Sequence, residues 1–136
     1  MQKKEGGMFN ADYFNQFSDS IYVEAGEVIF GEGDPGDVIY VVQEGEVQVI
    51  HDGAVLATLG PGELVGEMAL IDNMPRSATV IAHTDAKLVP VDHNHFYALL
   101  QKTPVFGTTV MQLISKRLRH AAGLQAVYTS EFFLVE

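Results

Sequence analysis

Cysteine is absent from the 136 residues of this chain. Its absence excludes disulfides, iron–sulfur ligation and thiol catalysis, and it fits a reducing compartment. No window approaches the ~20 apolar residues of a membrane span. The N-terminal stretch MQKKEGGMFNADYF also lacks the apolar run of a signal peptide. These absences predict a cytoplasmic protein with no membrane contact.

Positive charge is scarce as well, with 8 Lys and Arg against 18 Asp and Glu and a net charge of -10. Between Glu5 and Pro75 the chain has 14 acidic residues and no basic one. Because nucleic-acid affinity comes largely from Lys and Arg at the phosphates, we expect no direct binding of DNA or RNA. Arg76 is the first positive charge after Lys4. Its surroundings are therefore where an anion site is to be sought.

Signatures of catalysis and of metal binding are missing too. The chain has no Gly-x-Ser-x-Gly elbow, and its turn aspartates are expected there for backbone reasons. His93 and His95 have the spacing of an HxH metal motif, but at a helix start residues i and i+2 point to different faces. We therefore expect no enzyme, no metal site and no cofactor.

What the sequence does contain is a β region between residues 21 and 91. Short runs rich in Val, Ile and Tyr are separated there by Gly, Asp and Pro, a pattern typical of successive strands and tight turns. Residues 46–50, EVQVI, alternate with period two, and Asp52-Gly53 predicts a hairpin. Many short strands at regular spacing predict a sandwich, jelly roll or barrel. The length predicts a single domain, residues 1–136.

Helical patterns flank the β region. Residues 8–18 predict a short helix with an aromatic face. At the other end, residues 92–128 predict two helices, because Asp92 can cap the first and Pro104 can open the second. The second helix has an apolar stripe, which predicts core packing, a dimer seam or a surface for another protein. That stripe consists of Val110, Leu113, Ile114, Leu118, Ala121 and Leu124, and the other side of the helix carries Lys116, Arg117 and Arg119.

Residues 62–80, GELVGEMALIDNMPRSATV, have the chemistry of an anion site. A turn starting at Gly66 would present unpaired backbone N–H groups, which favour negative charge. Arg76 can donate to two phosphate oxygens, and the Ser77 hydroxyl adds a contact. The carboxylate of Glu67 only accepts hydrogen bonds, so it suits a sugar hydroxyl. Together these residues predict a pocket for a compact sugar phosphate.

The alternative is an ordinary surface role for Arg76. It would then pair with Asp72 or Glu67, a contact worth about 0–1 kcal/mol.

The same stretch resembles the phosphate-binding cassette of cyclic-nucleotide-binding domains, as in the catabolite activator protein, the regulatory subunits of cAMP-dependent protein kinase and cyclic-nucleotide-gated channels. The likeness extends upstream through GEVIFGEGDPGDVIYVVQEGEVQVI and LATLGPGE. It implies a mainly β fold, an eight-stranded, jelly-roll-like β-roll with a short N-terminal helix and C-terminal helices. It also implies a cyclic nucleotide ligand, with Ser77 favouring cAMP over cGMP. Val65 departs from the family's usual Phe but keeps its packing role.

The resemblance implies a role for each residue of the site. Arg76 and Ser77 would bind the cyclic phosphate, and Glu67 the ribose 2′-hydroxyl. The remaining lining residues would be Gly66, Met68, Ala69 and Ala78, with Leu124 or Tyr128 as a lid over the base.

As a whole, the resemblance implies a regulatory sensor whose C-terminal helices respond to ligand. A homodimer or an effector protein would be contacted through the last helix. About a dozen residues follow residue 122, which we expect to be too few for a helix-turn-helix. The open alternative is a degenerate β-roll that no longer binds nucleotide and serves as an interaction or dimerisation module. Such a roll could dispense with Glu67 and Arg76.

Overall fold

Two four-stranded antiparallel sheets dominate a computed structural model of the chain, which describes residues 9–67 and 74–121. The first sheet has the order β1-β8-β3-β6 and the second the order β2-β7-β4-β5. Within the described residues the strands are β1 Ile21–Val23, β2 Val28–Phe30, β3 Val38–Glu44, β4 Val47–His51, β5 Ala54–Leu59, β6 Leu64–Val65, β7 Thr79–Ala82 and β8 Ala86–Asp92. Strands distant in sequence thus pair within each sheet, as in a jelly roll, and the predicted eight-stranded β-roll is confirmed.

The core between the strands is built from apolar side chains of both sheets. Val42 and Leu88 of the first sheet and Val47 and Val80 of the second are at most 1% exposed and belong to one cluster. Val49 packs against the same cluster, two residues after Val47. The period-two pattern of residues 46–50 therefore places its valines on the core face, as predicted.

The hairpin between β4 and β5 turns at the predicted dipeptide. Asp52 and Gly53 have φ angles of 51° and 76°, and His51 pairs with Ala54 across the turn. Two successive left-handed residues make the type I′ turn, whose twist matches that of the flanking strands.

The N-terminal helix is shorter than the predicted span of residues 8–18. It is a 3₁₀ helix at Ala11–Gln16, and the side chain of Asn10 accepts a hydrogen bond from the backbone N–H of Asp12. Phe14 is buried, whereas Tyr13 is exposed. Because three residues per turn and poorer hydrogen-bond geometry limit 3₁₀ helices to short runs, the aromatic face is short as well.

Helices α1, His93–Lys102, and α2, Pro104–Ala121, follow the last strand. Asp92 caps α1 as predicted, since its carboxylate accepts from the backbone N–H of His95 at 2.9 Å. Pro104 opens α2 as predicted, at a position where its missing N–H leaves no intrahelical bond unmade. No helix of the described residues is long and apolar enough to cross a membrane.

The chain divides into two compact units, Met1–Ala98 and Leu99–Glu136. In the second unit the buried residues of α2 are Phe106, Val110 and Leu113, whereas Leu118 is 50% exposed. Of the alternatives left open for the apolar stripe, core packing does not apply to Leu118: at 100° per residue it lies well off the line through Phe106, Val110 and Leu113. The expectation of one domain over residues 1–136 stays a prediction.

Candidate functional site

Arg76 lies three residues before β7 and is only 6% exposed. Its backbone is held by the loop between β2 and β3: its N–H donates to the carbonyl of Asp34 and its own carbonyl accepts from the N–H of Gly33, both at 2.8 Å. The alternative of an ordinary surface arginine is therefore wrong. Strand β7 begins only at Thr79, and the backbone of residue 76 pairs with this loop instead.

The guanidinium of Arg76 joins two distant parts of the roll. Nη2 donates to the carbonyl of Val38 at 2.8 Å, and Nη1 donates to the carbonyl of Gly66 at 3.1 Å. The first carbonyl begins β3 and the second follows β6. Nε is buried and has no hydrogen-bond partner within the described part of the chain. Two of the three guanidinium nitrogens thus donate to carbonyl groups, and the third, Nε, has no partner among the described residues.

An aromatic pair lies against the same guanidinium. Cζ of Arg76 is 4.0 Å from the ring centroid of Phe30. That ring stacks on Tyr40, with centroids 6.2 Å apart and an interplanar angle of 26°. Phe30 ends β2 and Tyr40 lies in β3, so strands of both sheets support the arginine. A cation this close to a ring face is attracted by the ring quadrupole.

Two glycines, Gly36 and Gly66, lie so close to the guanidinium that a side chain at either position would overlap with it. A Cβ atom at Gly66 would lie 2.6 Å from Nη1, and one at Gly36 would lie 2.7 Å from Nη2 and closer still to Nε and Cζ. Real Cβ atoms do not approach their neighbours so closely. Gly66 also has a φ of 87°, which favours glycine for the backbone itself.

Burial lowers the pKa of Arg76, because desolvation disfavours the charged form. Tyr40 and the carboxylates of Asp37, Asp34 and Glu67 act in the opposite direction. Arginine starts from so high a pKa that the group stays protonated in proteins. The site therefore holds a permanent, partly desolvated positive charge among acidic neighbours.

Glu67 follows Gly66 directly and is also only 6% exposed. Among the described residues, Glu67 and Arg76 are the two buried charged side chains. Both were predicted as site residues from their chemistry. Since burying a charge is costly without compensation, two of them at one place mark the part of the roll most specialised for polar recognition.

The other predicted residues divide into two groups. Gly66 lies beside the guanidinium. Ser77 and Ala78 follow Arg76 in the chain; Ser77 is exposed and Ala78 is buried. Four predicted residues and the alternative partner of Arg76 lie outside the described residues: Met68, Ala69, Leu124, Tyr128 and Asp72.

Sequence reasoning missed the partners that come from outside residues 62–80, namely Phe30, Gly36 and Val38. They belong to GEVIFGEGDPGDVIY, whose dense glycines and Asp-Pro-Gly turn signalled a tight loop. Nothing in that pattern indicated that the loop would lie against an arginine about 40 residues later.

Comparison with known proteins identifies the family of this chain. The family model described as cyclic nucleotide-binding domain matches residues 20–103. The chain belongs to this family. The matched range includes both sheets, residues 62–80 and all of α1.

The relatives include a cyclic AMP receptor protein and a cGMP-dependent protein kinase. The chain is 39% identical over 101 residues to the cyclic AMP receptor protein of Thermus thermophilus, covering 71% of this chain and 47% of that protein. It is 41% identical over 78 residues to a cGMP-dependent protein kinase of Caenorhabditis elegans, covering 57% of this chain and 10% of the kinase. The crystal structure of the Thermus thermophilus catabolite activator protein superposes with a TM-score of 0.75 and 32% identity, over 88% of this chain and 59% of that one.

These cyclic nucleotide-binding relatives are longer than the matched region. The chain spans less than half of the curated relatives' length, so the family identifies a domain and not the activity of a whole relative.

Proposed function

We propose that this domain binds cAMP through residues 62–80 and acts as a regulatory sensor with no catalytic step. The observation that carries the proposal is the joint burial of Glu67 and Arg76 on either side of Gly66, whose carbonyl accepts from the Arg76 guanidinium. A fixed guanidinium suits a phosphate, and an acceptor-only carboxylate suits a ribose hydroxyl. A cyclic nucleotide carries both groups within a few ångströms.

The acidic composition makes this arrangement selective. Sixteen of the 18 acidic residues precede Leu99, against four basic ones, so the potential around the roll repels diffusing anions. An anion is held only where a local positive charge is desolvated and donors are already oriented. Arg76 meets both conditions, since its backbone and two of its side-chain nitrogens are fixed by hydrogen bonds. Ser77, by the family resemblance, supports cAMP over cGMP.

Isothermal titration with cAMP, cGMP and 5′-AMP tests this function. We expect saturable binding of cAMP, weaker binding of cGMP, and much weaker binding of 5′-AMP, whose open phosphate carries more charge and a different shape. Arg76→Ala should weaken cAMP binding at least tenfold, because it removes the charged donor proposed for the phosphate. The matched control is Lys116→Ala, which removes an exposed positive charge from α2. Equal losses in both variants would show diffuse attraction and contradict the proposal.

We further propose that occupancy changes the C-terminal helices, with Leu124 or Tyr128 covering the base. A ligand shifts a conformational equilibrium only by binding one arrangement better than the other, so a residue that contacts the base is required. Amide hydrogen exchange over residues 104–128 should slow on addition of cAMP. Unchanged exchange there, with saturable binding, would leave a binding domain without a helix response.

Exposed apolar side chains on α2 support a second role, contact with a further protein or a second copy of this chain. Val105, Met111 and Leu118 are 71%, 65% and 50% exposed. Met111 and Leu118, seven residues apart, lie on one face of the helix, and adjacent exposed apolar side chains of this kind are found at interaction surfaces. We propose a cytoplasmic setting for both roles. Light scattering of wild type and Met111→Lys would test association: a species that dissociates in the variant is expected.

A further inference from the structure

We propose that Gly36 and Phe30, both outside residues 62–80, are positioning residues that hold the Arg76 guanidinium for phosphate binding. The inference rests on the proposed function and adds to it two residues of the β2–β3 region. It follows from three observations: the guanidinium lies against Gly36, it lies over the ring of Phe30, and its nitrogens differ in their hydrogen-bond partners.

Gly36 acts by having no side chain. A Cβ there would meet Nη2 of Arg76 at 2.7 Å and would come closer still to Nε and Cζ. Gly36 is not among the glycines with a positive φ, so its backbone conformation is open to other residues. The glycine is therefore required for space alone. Because the clashing atoms are the end of a flexible side chain, Gly36→Ala should displace the guanidinium and leave the backbone in place.

Phe30 acts through its ring face. The cation lies 4.0 Å from the ring centroid, and Tyr40 stacks behind the ring and keeps it in place. Arg76 is 6% exposed, so water competes little for this attraction. In such surroundings a cation–π contact contributes up to about 30-fold to an equilibrium. The ring therefore favours the one arginine position that also satisfies the two carbonyls.

In that position the donors of Arg76 are divided between the protein and a ligand. Nη1 and Nη2 donate to Gly66 and Val38, whereas Nε is buried with no hydrogen-bond partner among the described residues. A buried donor without a partner is costly and rare in folded proteins. We infer that Nε–H donates to a phosphate oxygen. Moving the guanidinium by the width of a methyl group would misdirect this donor.

The test compares two glycine-to-alanine variants. Gly36→Ala places a Cβ against Arg76, whereas at Gly60 a Cβ would meet nothing within 4 Å and the φ is also not positive. Titration with cAMP should show at least a tenfold loss of affinity for Gly36→Ala and less than a twofold change for Gly60→Ala. Thermal melting should show both variants folded. Equal affinities would overturn the role of Gly36.

A spectroscopic measurement separates positioning from stability. In protein without nucleotide, the Nε–H proton of Arg76 should be shifted upfield by the Phe30 ring current, and Phe30→Leu should remove that shift. Phe30→Tyr retains a ring face and should restore both the shift and cAMP affinity, whereas Phe30→Leu should lose about 5- to 30-fold. An Nε–H resonance that Phe30→Leu and Gly36→Ala both leave unmoved would overturn the positioning. A wild-type domain that binds no cyclic nucleotide would instead overturn the proposed function, and the resonance would still decide where the guanidinium lies.

Discussion

Nη1 of Arg76 donates to the carbonyl of Gly66 at 3.1 Å, across ten residues of chain. The side chain assigned to the phosphate thus also ties together the two ends of the segment that would surround it. Its Nη2 bond to Val38 extends the same link to the start of β3, the strand that pairs with β6. Ligand affinity and the stability of the roll therefore depend on one residue, and their effects have to be separated by experiment.

Replacing Arg76 should cost stability in the absence of any nucleotide. Arg76→Ala leaves the carbonyls of Val38 and Gly66 without their charged donor, and hydrogen bonds to charged groups contribute about 1.5–3 kcal/mol each. We expect the free energy of unfolding in urea to fall by about 2–4 kcal/mol. Lys116→Ala, on an exposed part of α2, should change it by less than about 0.5 kcal/mol. Similar values for the two variants would mean that the two carbonyl bonds contribute no stability.

Glu67→Gln should weaken binding through one hydroxyl of the ligand. Loss of a charged acceptor corresponds to about 10- to 100-fold in affinity for cAMP. For 2′-deoxy-cAMP, which lacks the hydroxyl, Glu67→Gln should cause no additional loss of affinity. Removing the carboxylate and removing the hydroxyl thus form a double-mutant cycle. Glu44→Gln, an exposed carboxylate, is the control. Additive losses would show that Glu67 does not contact the 2′-hydroxyl.

Gly53→Ala should destabilise the β4–β5 hairpin through backbone strain alone. Its φ is 76° and a Cβ there would meet nothing within 4 Å, so sterics with neighbours do not contribute. A left-handed conformation costs an L-residue about 1–2 kcal/mol, which urea unfolding should register. Gly60→Ala has equal free space and no positive φ, so it should cost much less. Equal losses would mean that the left-handed backbone at Gly53 adds no strain.

Asp92→Ala should shorten or weaken α1. The carboxylate accepts from the backbone N–H of His95 at 2.9 Å, and N-cap removal typically costs about 1 kcal/mol. Asp92→Asn retains an acceptor and should recover most of that loss in urea unfolding. Asn94→Ala, one residue into the helix and exposed, should be nearly neutral. A neutral Asp92→Ala would show that the cap contributes nothing to folding.

Local features were predictable because they depend on neighbours in the chain. The Asp52-Gly53 turn, the Asp92 cap and the start of α2 at Pro104 all follow from backbone preferences of single residues, and all are confirmed. The alternation around Val47 likewise identifies its buried face. Glu67 and Arg76 were singled out as candidate site residues because carboxylate and guanidinium chemistry is specific, and their role in binding stays a prediction.

Predictions that needed packing were less accurate. The N-terminal helix is a short 3₁₀ helix, and β7 begins at Thr79 because Arg76 pairs with the β2–β3 loop. The apolar spacing of α2 left core packing and a contact surface both open, and only the structure shows that Leu118 is exposed. In each case the length of the element or the exposure of the side chain depends on packing against another segment. The spacing of residues along one segment does not specify that packing.

By itself, then, the sequence determined the β region, the Asp52-Gly53 turn and the starts of α1 and α2, because these follow from local conformational preference. It also singled out Glu67 and Arg76 as candidates by their side-chain chemistry. Only the tertiary structure decided that Arg76 is buried, that Val38 and Gly66 accept its hydrogen bonds, and that Phe30 and Gly36 shape its surroundings. Antiparallel pairing brings these residues together across as many as 46 positions of chain. The conformational preferences of neighbouring residues do not specify contacts between residues so far apart in the chain.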